Sequence, residues 1–89
     1  MTTWDPAKRR ANIRKHGVDL AMAEHFEMEA ALVEEDRTEN YGERRYRAIG
    51  PIGNTLFVYV FTCDDDEEER AISLREADAR ERRFYVDNI

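Results

Sequence analysis

Cysteine, proline and glycine are scarce in this chain of 89 residues, which has one, two and four of them respectively. The single cysteine, Cys63, excludes an internal disulfide and is typical of a reducing compartment, so we expect a cytoplasmic location. The longest apolar run, Thr55–Cys63, is far shorter than the roughly 20 residues that a membrane-spanning helix requires. We expect one domain, residues 1–89, with a small core and marginal stability.

Sequence motifs for a bound metal or cofactor are also absent. The two histidines, His16 and His25, have neither paired spacing nor a cysteine partner, so no zinc site is predicted. Residues 64–69 are all acidic, but they lack the spaced ligands and the glycine of a calcium-binding loop. There is no phosphate-binding loop, dinucleotide fingerprint or nucleophile elbow. The sequence therefore predicts no metal and no cofactor, and 64–69 is interpreted as a solvated hairpin loop.

Positive charge is concentrated near the start of the chain, although the net charge of the whole chain is -6. Residues 5–17 carry a net charge of +4 and very few apolar side chains. They predict a short helix, because Asp5 is a good N-cap, Pro6 fits the first helical turn and Gly17 suits a left-handed C-cap. Such a helix has no apolar stripe of its own, so it must be solvated or face something negative.

The rest of the chain predicts a mixture of helix and sheet. A second, amphipathic helix is expected next, with Leu20, Ala23 and Phe26 on one face. A turn is expected at 50–54 and a closing helix at 76–87. The predicted strands are 31–34, 44–49, 55–62 and 70–74. The third strand is apolar on both faces and should be central. The chain therefore predicts an α+β fold with two N-terminal helices, a three- to four-stranded antiparallel sheet and a C-terminal helix.

Strand alternation predicts the direction in which the arginines point. In the second strand Arg45 and Arg47 share one face, and in the fourth Ile72 and Leu74 share the face opposite to Arg75. Adjacent strands of one sheet would then bring several guanidinium groups to one side, where they could bind phosphate in bidentate fashion. The other interpretation is that these arginines pair with nearby carboxylates on an exposed surface.

The histidine at the end of the first predicted helix, His16, has two interpretations. The negative end of a helix favours the protonated form of a histidine. A protonated His16 could donate a proton to a leaving oxygen during catalysis. The alternative is that His16 is an ordinary surface residue at a helix end.

Three ordered blocks of the sequence carry a resemblance to a known family. The first is Trp4-Asp5-Pro6-Ala7-Lys8 with Asn12, Lys15, His16 and Gly17; the second is Arg47-Ala48-Ile49-Gly50; the third is Ile72-Ser73-Leu74-Arg75 with Ala77, Glu81 and Arg82. Together they resemble the BrnT family, the ribonuclease toxins of type II toxin–antitoxin pairs. The resemblance implies a RelE-like fold, metal-independent RNA cleavage and growth arrest. It also implies neutralisation by a BrnA-type antitoxin with a ribbon-helix-helix DNA-binding region, and binding of promoter DNA only by the complex.

The resemblance also implies a set of site residues. Function in the family is attributed largely to basic side chains on the sheet, and the best match is Arg75, followed by Arg47, with Arg70 a weaker catalytic candidate. The candidate RNA-binding residues are Lys8, Lys15, His16 and Arg45. The general base stays open among Tyr46, His16, Glu76 and Glu81, the two glutamates serving only if neighbouring groups raise their pKa values.

The acidic balance of the chain supports a second interpretation. A non-catalytic protein-binding module, or a degenerate toxin, would use its acidic surface to dock a basic partner. The acidic run at 64–69 would repel RNA phosphates from Arg70, which follows it directly. Expression in a host distinguishes the two interpretations, because a toxin stops growth and a binding module does not.

Overall fold

A five-stranded mixed sheet forms the centre of the protein. The computed structural model describes residues 2–37, 42–63 and 68–89, so most of the predicted acidic loop lies outside the described residues. The elements are β1 (Thr2–Trp4), α1 (Pro6–His16), a first 3-10 helix (Leu20–His25), a second 3-10 helix (Met28–Ala30), β2 (Leu32–Asp36), β3 (Arg45–Ile52), β4 (Thr55–Cys63), β5 (Glu69–Glu76) and α2 (Ala79–Asn88). Among the described residues, no helix is long and apolar enough to cross a membrane.

The strand order in the sheet is β1-β5-β4-β3-β2. Strands β2 to β5 pair in antiparallel fashion, as predicted, but β1 adds a fifth strand that pairs with β5 in parallel. The prediction of a three- to four-stranded, purely antiparallel sheet was therefore wrong. Three residues are too few for a periodic signal, and the strand exists because Thr2–Trp4 meets Glu69, Arg70 and Ala71 from the far end of the chain.

The second helix predicted after α1 is present as two short 3-10 helices. The side chain of Asp19 caps the first of them by accepting a hydrogen bond from the Ala21 amide at 2.9 Å. The prediction that Leu20, Ala23 and Phe26 form the apolar face of this segment is confirmed, because all three are buried. The hydrophobic pattern thus identified the side chains that pack into the core. It did not indicate the 3-10 geometry, which is common in short helical pieces such as this segment between α1 and β2.

The turn predicted at 50–54 is shorter in the structure, because β3 continues to Ile52 and only Gly53 and Asn54 form the turn. Gly53 has a φ of 60°, which suits glycine. Gly50 instead lies within β3, where a Cβ would be 2.8 Å from the Ala31 Cβ and 2.8 Å from Phe26 Cζ. A glycine there serves close packing against the segment that precedes β2.

The central strand β4 is buried on both faces, as predicted. On one face, Tyr59 and Leu74 form the main core with the first 3-10 helix. On the other face, Val58 packs with Ile49 and Ala77 in a smaller core beside α2. The sheet therefore separates two layers, and the thinner layer under α2 leaves room for polar side chains.

A β-bulge in β5 changes the predicted alternation of side chains. Val60 pairs with Ser73 but the next residue, Phe61, pairs with Ala71, so Ile72 is an extra residue in the strand. As a result Ala71, and not Ile72, joins Leu74 in the main core. The prediction that Ile72 and Leu74 share the core face was wrong.

Candidate functional site

Two arginines from different strands converge on one carboxylate of α2. Arg75 donates from Nη1 to Glu81 Oε1 and from Nη2 to Glu81 Oε2, both at 2.7 Å. Arg47 donates from Nη2 to the same Glu81 Oε2 at 2.8 Å. We call Arg47, Arg75 and Glu81 the arginine cluster. Both arginines are therefore ion-paired, as the second interpretation of their pattern expected, and they also lie together, as the first expected.

The sheet register explains why the two arginines meet. Arg47 on β3 lies opposite Val60 of β4, and Arg75 on β5 lies opposite Val58, so both arginines share the face of the sheet that α2 covers. Glu81 is held there by the first turn of α2. Its Oε1 accepts from the Asp78 amide at 2.9 Å, and its own amide donates to Asp78 Oδ1 at 2.8 Å, which forms a capping box.

The arginine cluster keeps a net positive charge and spare donors. Glu81 is only 11% exposed, and its hydrogen bonds to Arg75 lower its pKa to about 2. A carboxylate of this kind stays ionised, so the hypothesis of Glu81 as a base with a raised pKa was wrong. The hydrogen bonds described for Arg75 use three of its N–H groups and those for Arg47 use two. A guanidinium carries five N–H donors, so both retain some for an anion.

A cleft of about 260 Å³ lies between α1 and β5. We call it the helix cleft. Its lining residues are Lys8, Ala11, Asn12, Lys15, His16, Ile72 and Ser73. Three of the four candidate RNA-binding residues therefore lie together, and they lie beside the strand that carries Arg75.

His16 is a less basic histidine than the sequence predicted. Burial lowers its pKa from the ordinary value of 6.5, and the charges of Lys15 and Arg75 lower it further. The expected stabilisation of the protonated form by the helix end is thus outweighed by desolvation and by like charge. His16 is thus less readily protonated than an ordinary histidine. The helix cleft lies beside the arginine cluster, because Ser73 of its lining precedes Arg75 by two residues in β5.

Asn12 has a structural role that the sequence motifs did not indicate. It is buried, at the middle of the basic helix, and its side chain hydrogen-bonds to the backbone of Leu74 and Val18. The signal that could have identified it is its position, because an asparagine in a helix interior is unfavourable unless its amide has partners. This contact is what attaches α1, which lacks an apolar stripe, to the sheet.

Two predicted site residues, Arg45 and Arg70, lie outside the arginine cluster. Arg45 and Arg70 are the two cross-strand neighbours of Thr62. Arg70 lines a separate cavity of about 530 Å³ together with Thr3, Glu43, Arg44, Thr62, Cys63 and Glu68. Along β5, Arg70 precedes Arg75 by roughly 13 Å, because their partners Thr62 and Val58 are four residues apart in β4 at the usual rise of a strand. The structure therefore separates Arg70 from Arg75, whereas Arg45 lies two residues before Arg47 on the same face of β3.

The remaining candidates for a general base differ in how near they lie to the basic side chains. The ring of Tyr46 stacks on Phe61 in the main core, with ring centroids 5.5 Å apart, so it lies on the face away from Arg75. Glu76 ends β5, and its backbone carbonyl accepts a hydrogen bond from Arg75 Nη1 at 3.3 Å. His16 is the candidate that lies beside the cationic side chains. In the described parts of the chain, no group of three or more His, Cys, Asp or Glu side chains could hold a metal ion.

The fold and the site define a small α+β protein with basic side chains grouped beside β5 and α1 in an otherwise acidic chain. The sequence profile of a family described as "Ribonuclease toxin, BrnT, of type II toxin-antitoxin system" matches residues 4–81. The chain therefore belongs to the BrnT family, which confirms the resemblance seen in the sequence. It is a ribonuclease toxin, with RNA as substrate and an antitoxin as partner.

The fold is similar to a solved structure of the same family. The crystal structure of the Brucella abortus ribonuclease toxin BrnT superposes with a TM-score of 0.69 at 33% sequence identity, covering 88% of this chain and 97% of the Brucella chain. No curated protein sequence matches the chain.

Proposed function

We propose that this toxin cleaves RNA without a metal ion, using the arginine cluster to bind the scissile phosphate and His16 to accept the proton of the attacking hydroxyl. The single observation that carries the proposal is the convergence of Arg47 and Arg75 on Glu81 from two strands on either side of β4. Guanidinium groups fixed in this way need no reorganisation when negative charge develops on a phosphate.

The reaction is a transesterification within the RNA chain. The ribose 2′-oxygen attacks the adjacent phosphorus, its proton passes to the neutral imidazole of His16, and the bond from phosphorus to the 5′-oxygen breaks. The leaving 5′-oxygen takes a proton, from the imidazolium or from water. The products are a 2′,3′-cyclic phosphate and a 5′-hydroxyl, and no oxidant or cofactor takes part. A histidine with a pKa below 6.5 is suited to the first step, because it is mainly unprotonated at pH 7.

Glu81 acts in this proposal as a positioning residue. It holds both guanidinium groups in one geometry while cancelling only one of their two charges. Arg47 also contacts Glu34, but at 3.3 Å and with a carboxylate that is 69% exposed. Exposed ion pairs of this kind contribute little. A substrate phosphate is therefore proposed to replace Glu34 on Arg47 and to use the spare donors of Arg75.

The remaining basic residues are proposed to bind flanking nucleotides. Lys8 and Lys15, which line the helix cleft with His16, would contact backbone phosphates next to the scissile one. Arg45, two residues before Arg47 on the same face of β3, would contact a phosphate close to the scissile one, and Arg70 would contact the chain further away. Their loss should weaken binding more than it slows the chemical step.

The regulatory part of the proposal follows the family. The antitoxin is proposed to be of the BrnA type, with a ribbon-helix-helix region, and the toxin–antitoxin complex is proposed to bind its own promoter. Release of the toxin in the cytoplasm would then arrest growth. The toxin itself, with a net charge of -6, is a poor candidate for direct binding to DNA.

Cleavage of RNA by the purified chain in EDTA tests the proposal. Arg75→Ala and Arg47→Ala should each lower kcat by about 100-fold or more, the scale found when one donor to a developing oxyanion is removed. Arg83→Ala is the matched control, because it removes the same charge from the exposed side of α2. Circular dichroism establishes that each variant is folded.

Two results would contradict the proposal. A folded Arg75→Ala variant with full activity removes Arg75 from the reaction. Wild-type protein that binds RNA without cutting it under these conditions favours the degenerate toxin or the binding module. A 2′-deoxy substitution at the cleaved nucleotide should abolish cleavage, and cleavage that survives it would rule out the 2′-oxygen as nucleophile.

A further inference from the structure

An apolar groove lies at the edge of the sheet, between β2 and α2. Its volume is about 290 Å³. The lining residues are Leu32, Val33, Glu34, Arg47, Ile49, Phe84 and Asn88. We call it the edge groove. It is open to solvent along β2, which is the outermost strand of the sheet on that side.

Large apolar side chains are unusually exposed around this groove. Val33 is 47% exposed and Phe84 is 53% exposed. Val86 and Ile89, at the end of the same helix region as Phe84, are also exposed. An apolar surface of this kind, next to the free edge of an outer strand, is typical of a protein-binding site.

We propose that the edge groove is the docking site of the protein antitoxin, and that it receives a segment with apolar side chains and one carboxylate aimed at Arg47. The apolar side chains would cover Val33 and Phe84. The carboxylate would replace Glu34, whose exposed contact with Arg47 at 3.3 Å is the weakest of the three ion pairs around the arginine cluster.

Docking at this groove would also inhibit the toxin, a consequence that rests on the proposed function. Arg47 belongs both to the edge groove and to the arginine cluster. A segment that engages Arg47 and lies over β2 would take a donor that the RNA phosphate needs. The antitoxin would thus compete with substrate through one shared side chain, and need not enter the helix cleft on the far side of Arg75.

The apolar lining of the groove favours a protein segment over RNA, and the net charge of the chain opposes a second copy of the toxin. A second copy of the toxin would bring a further net charge of -6 to the interface, and like charge opposes association. An RNA phosphate could reach Arg47, but RNA has no aliphatic side chains to cover the mainly apolar lining of the groove. An antitoxin segment with apolar side chains and a single carboxylate would cover the apolar lining and pair with Arg47.

The proposal is tested by the affinity of the full-length toxin for its antitoxin. Val33→Asp and Phe84→Asp each place a charge in the groove and should weaken binding at least tenfold in calorimetry. Ile13→Asp is the matched control, because Ile13 is 45% exposed but lies on α1. It should change the affinity less than threefold. Free Val33→Asp and Phe84→Asp toxins should cut RNA at the wild-type rate and resist inhibition by the antitoxin.

Arg47→Ala separates this inference from the proposed function. If both hold, the variant loses RNA cleavage and also binds the antitoxin more weakly. If Arg47 has no role in cleavage but the groove is the docking site, only the affinity for the antitoxin falls. Wild-type antitoxin affinity in folded Val33→Asp and Phe84→Asp variants would overturn the inference. The inference would also be overturned if these variants kept the antitoxin affinity but lost RNA binding, because the occupant would then be RNA. A change of oligomeric state in sedimentation, again with unchanged antitoxin affinity, would identify a second toxin as the occupant.

Discussion

Asn12 of α1 satisfies both backbone hydrogen-bonding groups of Leu74 in β5. The Leu74 amide donates to Asn12 Oδ1 at 3.1 Å, and Asn12 Nδ2 donates to the Leu74 carbonyl at 2.7 Å. Strand β1 pairs with β5 only as far as Ala71, so the asparagine side chain continues the sheet edge where the strand stops. Arg75 is the next residue after Leu74, and His16 lies one helical turn after Asn12. One side chain therefore sets the distance between α1 and the arginine cluster.

Replacing Asn12 should damage both stability and activity. Asn12→Ala leaves a buried amide and a buried carbonyl of Leu74 without partners, and each such group costs about 1–3 kcal/mol. We expect the free energy of unfolding in urea to fall by roughly 3 kcal/mol. Asn12→Asp keeps the acceptor for the Leu74 amide but buries a carboxylate against the carbonyl oxygens of Val18 and Leu74, so it should be at least as destabilising as Asn12→Ala. A stability equal to wild type in Asn12→Ala would show that water replaces the amide without cost.

Glu81 should make the stability of the protein depend on acid pH. Its pKa is lowered from the ordinary value of 4.5 to about 2, chiefly by the hydrogen bonds from Arg75. The unfolded state therefore binds the proton first as the pH falls. The stabilisation is fully present above pH 4.5 and is lost as the pH falls towards 2. After allowance for solvent around the arginines, it should be on the order of 2 kcal/mol.

The matched variant for Glu81 is Glu81→Gln, because a glutamine at this position can still complete the capping box. The variant should be less stable than wild type at pH 7, and the difference should shrink to near zero at about pH 2. Urea unfolding curves at several pH values measure this difference. A constant difference across the range would mean that packing, and not the charge of Glu81, is responsible.

The acid limb of the pH profile for RNA cleavage should report His16. Burial, Lys15 and Arg75 all lower its pKa, so the limb should lie below pH 6.5. Lys15→Gln removes one of these charges and should move the limb to higher pH, whatever it does to the affinity for RNA. Arg14→Gln removes a charge from the same helical turn and should leave the limb in place. NMR titration of His16, with His25→Gln to assign the signals, checks the direction without activity. If the acid limb stays at the same pH in Lys15→Gln, His16 is excluded as the base.

Local patterns in the sequence were sufficient for most of the elements. The caps of α1 were predicted correctly, since Asp5 accepts from the Ala7 amide at 2.7 Å and Gly17 adopts a left-handed φ of 69°. Strand alternation was sufficient to predict that Arg47 and Arg75 could lie on one face of the sheet, as they do in the structure. The roles of these arginines in cleavage stay a prediction, as do those of Lys8 and Lys15.

Other features depended on residues that are distant in the sequence. The bulge at Ile72 has no local signature, and it changes which residues of β5 reach the core. The lowered pKa of His16 depends on burial and on Arg75, neither of which a helix pattern contains. The capping box that fixes Glu81 is local, but its contact with Arg47 joins positions 34 residues apart.

Composition, periodicity and capping residues by themselves determined that this chain is a small α+β protein with a basic first helix and an apolar central strand. These local signals act over a few residues, because they set the backbone conformation and decide which face of a helix or strand each side chain occupies. Only the tertiary structure decided that β1 completes the sheet, that Asn12 holds α1 against Leu74 and that Glu81 joins Arg47 to Arg75. Those features depend on desolvation and on distances between separate elements, which exist only after the chain has folded.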